Sequence, residues 1–205
     1  MAPAALRSLG VLLAGGRGSR LGAAVPKALV ECGGRTLLAR ALATLEPVCD
    51  EIVVVAPRAM QLPVPASQRV HDPEGEQGPL AALVAGLEAR AFAEACVLAV
   101  DLPLVTSQAL RALRALRADA LAVMAAPGGL PQPLAAWYSS GARTPLARAS
   151  EAGERSVIAA CRMLPARLVE GAALVHLPDG EGFQWNVNTP EDLSRAERAL
   201  AGPRS

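Results

Sequence analysis

Apolar residues in this chain fall into short continuous runs, separated by stretches in which they recur every three or four positions. Residues 9–13 (Leu-Gly-Val-Leu-Leu) carry no charge, as a strand buried on both faces requires. Residues 52–55, 96–100 and 121–125 repeat that pattern. Helical spacing fills the intervals. It covers residues 36–45, residues 80–95 behind a Gly78-Pro79 start, and residues 108–117, whose arginines at 111, 114 and 117 mark a solvated face. This alternation predicts a three-layer α/β/α Rossmann-like domain with helices on both faces of a mostly parallel sheet, plus an antiparallel edge element.

The second half is less regular. Trp137 and Tyr138 read as core or edge packing, residues 145–150 and 154–163 as short helices, and Val169 with residues 173–177 as edge strands. A last helix opens at Thr189, which caps it, with Pro190 in the first turn and Glu191 and Asp192 at its positive end. With no linker and no repeat, residues 1–205 are expected to form one domain, with a regular half to about residue 125 and a second half from about 126.

Charge and composition remove several functions. Twenty basic residues against 19 acidic ones leave no broad basic face for nucleic acid, and 2% aromatics leave no stacking platform for single strands. No apolar run approaches the roughly 18–20 residues that span a bilayer. The run at 9–14 leads into glycines and arginines, not into a signal-peptide cleavage site. Cys32, Cys49, Cys96 and Cys161 form no C-x-x-C pair and have no histidine at ligand spacing. Structural zinc and a disulfide framework are therefore not expected, and reduced thiols in a cytoplasmic core are. Lys27 is the only lysine, in a chain that otherwise uses arginine. A position that keeps lysine there suggests a site needing a compact ammonium.

The chemistry concentrates after the first strand, in Leu13-Ala14-Gly15-Gly16-Arg17-Gly18-Ser19-Arg20-Leu21-Gly22. Glycines permit positive φ and close approach of backbone to a ligand, and successive N–H groups cradle phosphate. Arg17 and Arg20 add forked donors, and Lys27 closes the loop. A Walker A loop fails, because Pro26 precedes Lys27 and Ala28 follows it. A dinucleotide fingerprint also fails: Leu21 stands at the third glycine, and no acid ends the second strand. A serine hydrolase lacks its G-x-S-x-G elbow.

The segment does match L-A-G-G-x-G-x-R-[ML]-G followed by P-K or D-K, and so resembles the nucleotidyltransferases that take a nucleoside monophosphate from a triphosphate. The similarity runs along the whole chain and is greatest to the molybdenum cofactor guanylyltransferase family. It is carried by Asp72 with Gly78-Pro79-Leu80-Ala81, by Val100-Asp101-Leu102-Pro103, by Gln132-Pro133-Leu134, by Gly153-Glu154-Arg155-Ser156, and by Asn186-Val187-Asn188-Thr189-Pro190-Glu191-Asp192-Leu193. Three features depart from that pattern. The loop is one residue longer than usual, Pro26 replaces the common Asp before the lysine, a Pro-Lys form typical of relatives acting on sugar or alcohol phosphates, and the second strand lacks the asparagine of several guanylyltransferases, with Val55 and Pro57 in that region.

The resemblance implies a nucleotidyltransferase fold and transfer of GMP from GTP to molybdopterin, with release of pyrophosphate and with Mg²⁺ as cofactor. The alternative is CTP or another triphosphate with molybdopterin or a sugar or alcohol phosphate. Lys27, Arg20 and Asp101 become the catalytic candidates. Leu13, Ala14, Gly15, Gly16, Arg17, Gly18, Lys27, Asp72, Gly78 and Asp101 become the nucleotide-binding ones. Asp101, at a strand's carboxyl end, and Asn188 are candidate Mg²⁺ ligands, which suits an ion needing few carboxylates. Gln132, Arg155, Asn186 and Asn188 are expected on the acceptor side, in the second half, where a protein delivering or accepting the cofactor would also dock. Asp72 in His71-Asp72-Pro73 and Asn188 before Thr189-Pro190 equally read as turn residues.

Overall fold

The apolar runs pair side by side in the computed structural model, which describes residues 7–16, 18–22, 25–73 and 78–202. In chain order the elements are β1 (Ser8–Leu13), a small hairpin of β2 (Glu31–Cys32) and β3 (Arg35–Thr36), α1 (Leu37–Leu45), β4 (Glu51–Ala56), β5 (Arg69–His71) and α2 (Gly78–Glu88). Then come β6 (Glu94–Ala99), α3 (Ser107–Ala115), β7 (Ala122–Ala125), β8 (Ala135–Ser139), α4 (Arg143–Glu151), α5 (Val157–Arg162), β9 (Ala166–Val169), α6 (Gly171–Val175) and α7 (Pro190–Ala201).

The sheet order is β5-β4-β1-β6-β8-β7-β9, and only β8 runs against the rest. Side chains alternate across it. Leu12 lies level with Val54 and Leu98 and joins a core with α1 and α3. Leu9, Val11 and Leu13 face the other way, into a core with α2, α4 and α5. From β1 the chain first builds outward to β4 and β5, then crosses back to β6 on β1's other side. The carboxyl ends of β1 and β6 therefore border the crevice where an open α/β sheet receives its ligand.

Three expectations are corrected. The helix from Gly78 ends at Glu88, not at residue 95, because Phe92 turns into the core and Glu94 and Ala95 already pair with Ser8 and Leu9. Residues 173–177 form no edge strand: Gly171, at φ +55°, opens the short helix α6, whose buried Leu174 lies one helical turn from buried Leu177. Val169 does end an edge strand, β9, but that strand is parallel to β7. The antiparallel strand is β8, inside the sheet.

β8 buries Trp137 and Tyr138 completely, on opposite faces. Each polar tip finds a carbonyl. Trp137 Nε1 donates to Leu110 at 2.8 Å, and the Tyr138 hydroxyl to Pro133 at 2.7 Å. Reversal has a second effect. The loop entering β8 lies at the same end of the sheet as the loops leaving β1 and β6, so Leu134 accepts a hydrogen bond from Ala99 N–H at 2.8 Å.

Gly86 lets α2 lie close on the sheet. A Cβ there would stand 2.3 Å from Val11 Cγ1 and 3.0 Å from Val55 Cγ2. Alanine favours a helix over glycine by about 1 kcal/mol, but overpacking costs about 1–3 kcal/mol. The clash is with two β-branched side chains of central strands, which have little room to yield. Gly86→Ala is expected to lower, not raise, the urea midpoint of unfolding.

Candidate active site

β1 ends in a backbone that is fixed before the glycines begin. Ala14 N–H donates to Val55 carbonyl at 2.8 Å, and the Ala14 side chain lies in the core, so only its main chain borders the loop. Gly18 (φ +69°) and Gly22 (φ +64°) bracket a 3₁₀ turn, Ser19–Leu21, that folds the loop back on Lys27. A Cβ on Gly18 would come 3.2 Å from both N and Cα of Lys27, and one on Gly16 would come 3.2 Å from its Cδ. The glycines therefore make room for one lysine as well as for a ligand.

Among the described residues Lys27 is the buried charged one, with 7% of its surface exposed. Its Nζ donates to Asp101 Oδ2 at 2.9 Å and to Asn188 Oδ1 at 2.8 Å. An ammonium taken out of water needs such partners. Asp101 stands two residues past the end of β6, and the intervening Val100 N–H donates to Leu13 carbonyl at 3.1 Å, so the two strand ends are tied together there. Asn188 arrives from the far end of the chain, after Val187 N–H has donated to the Asp101 carbonyl at 2.8 Å.

A cleft of about 320 Å³ opens beside this cluster. Leu13, Gly15, Gly16, Lys27, Asp72, Gly78 and Asp101 line it. Pro79, Ala82, Ala99, Val100 and Leu134 complete its walls; sequence motifs did not single these out as site residues, because small and apolar side chains carry no chemical signature. Asp72 Oδ2 sits 3.1 Å from where a Gly15 Cβ would be. Burial pushes the Asp72 carboxyl above its ordinary range.

Gly78 has φ +72°, and a Cβ on it would lie 3.1 Å from the Arg155 carbonyl, so the α2 start and the turn before α5 meet at the rim. The Arg155 side chain is exposed there. Gln132, half-buried, hydrogen-bonds through its main chain to Ala125 and Ala135, two residues from Leu134 of the cleft wall. Asn186 is half-buried next to Val187. Arg20 is exposed on the 3₁₀ turn and makes no hydrogen bond or ion pair to Lys27, Asp101 or Asn188 among the described residues. Arg17 lies outside the described residues.

The arrangement suits an anionic, phosphate-bearing ligand. It offers a glycine-lined loop, an ammonium and the start of α2 around one cleft. It also offers two hard oxygens, Asp101 Oδ2 and Asn188 Oδ1, that already share one cation, the ammonium of Lys27. Such donors fit Mg²⁺, which takes one or two carboxylates and completes its shell with phosphate and water. Among the described residues no three His, Cys, Asp or Glu side chains gather as a metal site.

Known proteins match this chain throughout. Residues 10–167 match the family described as MobA-like NTP transferase domain. A probable molybdenum cofactor guanylyltransferase of Chloroflexus aggregans is 34% identical, over 97% of both chains. A molybdenum cofactor guanylyltransferase of Cereibacter sphaeroides is 36% identical over 95% of this chain and 98% of its own. The crystal structure of molybdopterin-guanine dinucleotide biosynthesis protein A from Archaeoglobus fulgidus superposes with a TM-score of 0.74 at 26% identity, over 94% of this chain and 98% of that one.

Two stability effects follow from the site. Asp101→Ala leaves the Lys27 ammonium buried with one neutral partner, and is expected to cost about 1–3 kcal/mol in urea unfolding. Lys27→Met is expected to cost less, because it removes the buried charge itself and leaves Asp101, the more exposed partner, to water. The raised Asp72 carboxyl works in the opposite direction. Charging it opposes folding, a penalty absent below about pH 4, where the unfolded chain is also protonated, and complete above its folded-state value. Asp72→Asn is expected to raise Tm at pH 7, and the gain should vanish as the pH falls through 4.

Proposed function

Because this chain belongs to the MobA-like NTP transferase domain family, we propose that it transfers GMP from GTP to the molybdopterin form of the molybdenum cofactor and releases pyrophosphate. The observation that carries this reading is the Lys27–Asp101–Asn188 cluster at the mouth of the glycine-lined cleft. A phosphate oxygen of the acceptor attacks the α-phosphorus of GTP. The bond to the pyrophosphate oxygen breaks, and that oxygen leaves with its electron pair. The nucleophile is already an anion, so no strong general base is required.

The barrier is electrostatic: two anions must meet while charge builds on the leaving group. Lys27, freed from its present partners, holds the α-phosphate and offsets that charge. The loop glycines lay backbone N–H groups along the triphosphate, with Arg17 and Arg20 supplying further donors to its outer phosphates. Asp72 and Gly78 border the nucleotide. Asp101 and Asn188 would hold Mg²⁺, which supplies charge neutralisation and alignment of the phosphates when bound. Gln132 and Arg155 face the acceptor from the rim that β8 and the turn before α5 create, and Asn186 does so from the segment before α7. The cytoplasmic assignment rests on the four cysteines, all free thiols, and no described helix is long and apolar enough to cross a membrane.

The test is pyrophosphate release with GTP, CTP, ATP and UTP in turn, with Mg²⁺ and molybdenum-loaded molybdopterin. GTP is expected to be the preferred substrate, and Asp101→Ala to lose at least about 100-fold in kcat. Release with CTP alone would keep the chemistry and overturn the base assignment, in line with Pro26-Lys27. No release with any triphosphate would overturn the acceptor.

A further inference from the structure

Helix α7 opens with a reciprocal cap. Asp192 N–H donates to Thr189 Oγ1 at 3.2 Å, and Asp192 Oδ2 accepts from Thr189 N–H at 3.0 Å. A capping box needs no more than these two bonds. Here the same Oδ2 also accepts from Asn188 N–H, at 3.1 Å. Asn188 is the residue whose amide oxygen receives Lys27 Nζ. Just before it, the buried Val187 donates its N–H to the Asp101 carbonyl. Three successive N–H groups, of residues 187, 188 and 189, are thus fastened, one to the main chain of Asp101 and two to one carboxylate. Asn188 itself is exposed, so packing does little to hold it.

We propose that Asp192 is a positioning residue for the cluster: its carboxylate fixes the backbone of Asn188, and so sets where the Asn188 amide oxygen stands against Lys27 and Asp101. Asp192 is suited to this because it sits in the first turn of the twelve-residue α7, where its charge is favourable. A displaced amide oxygen would leave Lys27 with Asp101 alone, and the phosphate-binding ammonium would move with it. Small misplacements of groups that position a reacting phosphate are costly. The kinetic part of this inference rests on the nucleotidyl-transfer reading; the geometric part does not.

The chain's single lysine makes both parts measurable. Labelling with ¹⁵N-lysine gives one side-chain ammonium signal, that of Lys27. Asp192→Ala is expected to shift or broaden that signal and to lower kcat about 10-fold or more, in the range typical of supporting partners of site ligands. Asp192→Asn, which keeps an acceptor oxygen, should restore most of both. Thr36→Ala, which removes the equivalent cap of α1, should lower Tm comparably and leave the Lys27 signal and kcat unchanged. In an Asn188→Ala background, adding Asp192→Ala should cost no further kcat. An unmoved Lys27 signal in Asp192→Ala, or an equal kcat loss with and without Asn188, would overturn the proposal. A wild-type protein that releases no pyrophosphate from any triphosphate would overturn the acceptor in the functional reading instead, and the Lys27 signal would still decide the role of Asp192.

Discussion

One ammonium, shared between a carboxylate and an amide oxygen, is the constraint around which the rest of the site is arranged. Lys27 is buried, so its charge must be met on every side that water does not reach. Meeting it dictates the local chain. Gly18, at positive φ and against the Lys27 main chain, leaves no room for a side chain, an acid must stand just past β6, and the segment before α7 must return to that acid's main chain. The same contacts keep the lysine poised at the mouth of the cleft, where phosphates would exchange with its present partners.

The sheet supplies the frame for this. Parallel strands put the ends of β1 and β6 at one rim, as any doubly wound sheet does. The reversed β8 adds the rest. The loop after β7 begins at that same rim, and because β8 runs back from it the loop stays there, so Leu134 lines the opening. Stability is yielded in places to make this opening. Asp72 sits partly buried where desolvation opposes its charge. Gly78 takes a left-handed conformation that few other residues adopt readily, and so allows α2 to start against Arg155.

Much of this was legible in the chain. The uncharged runs at 9–13, 52–55, 96–100 and 121–125 became β1, β4, β6 and β7, because burial on both faces leaves no room for charge. Thr36 and Thr189 cap the helices they precede, since cap chemistry is local. Lys27, Asp101 and Asn188 were readable as candidates and do lie together. What stayed hidden was not local. β5 is three residues long, and its Arg69 and His71 give no apolar run. Ala-Ala-Trp-Tyr-Ser would read alike as an edge strand or an inner one, and only pairing with both β6 and β7 reverses it and buries it. The leucines at 174 and 177 fit a helix or a strand until Gly171 turns the chain. The third bond of Asp192 was invisible for the same reason. A Thr-Pro-Glu-Asp start announces a cap, not what else the cap's carboxylate will hold.

The partners of Lys27 lie 74 and 161 residues further along the chain. At ribosomal speeds of about 5–20 residues per second, roughly 8–32 seconds separate the synthesis of Lys27 from that of Asn188. Throughout that interval a nascent chain holds the glycine loop and, later, Asp101, but not the segment that completes the cluster. The loop that first emerges therefore stays without its full set of partners until residue 188 has been added. A chain cut short before residue 188 would hold the glycine loop and the lysine but not the amide oxygen that shares its charge.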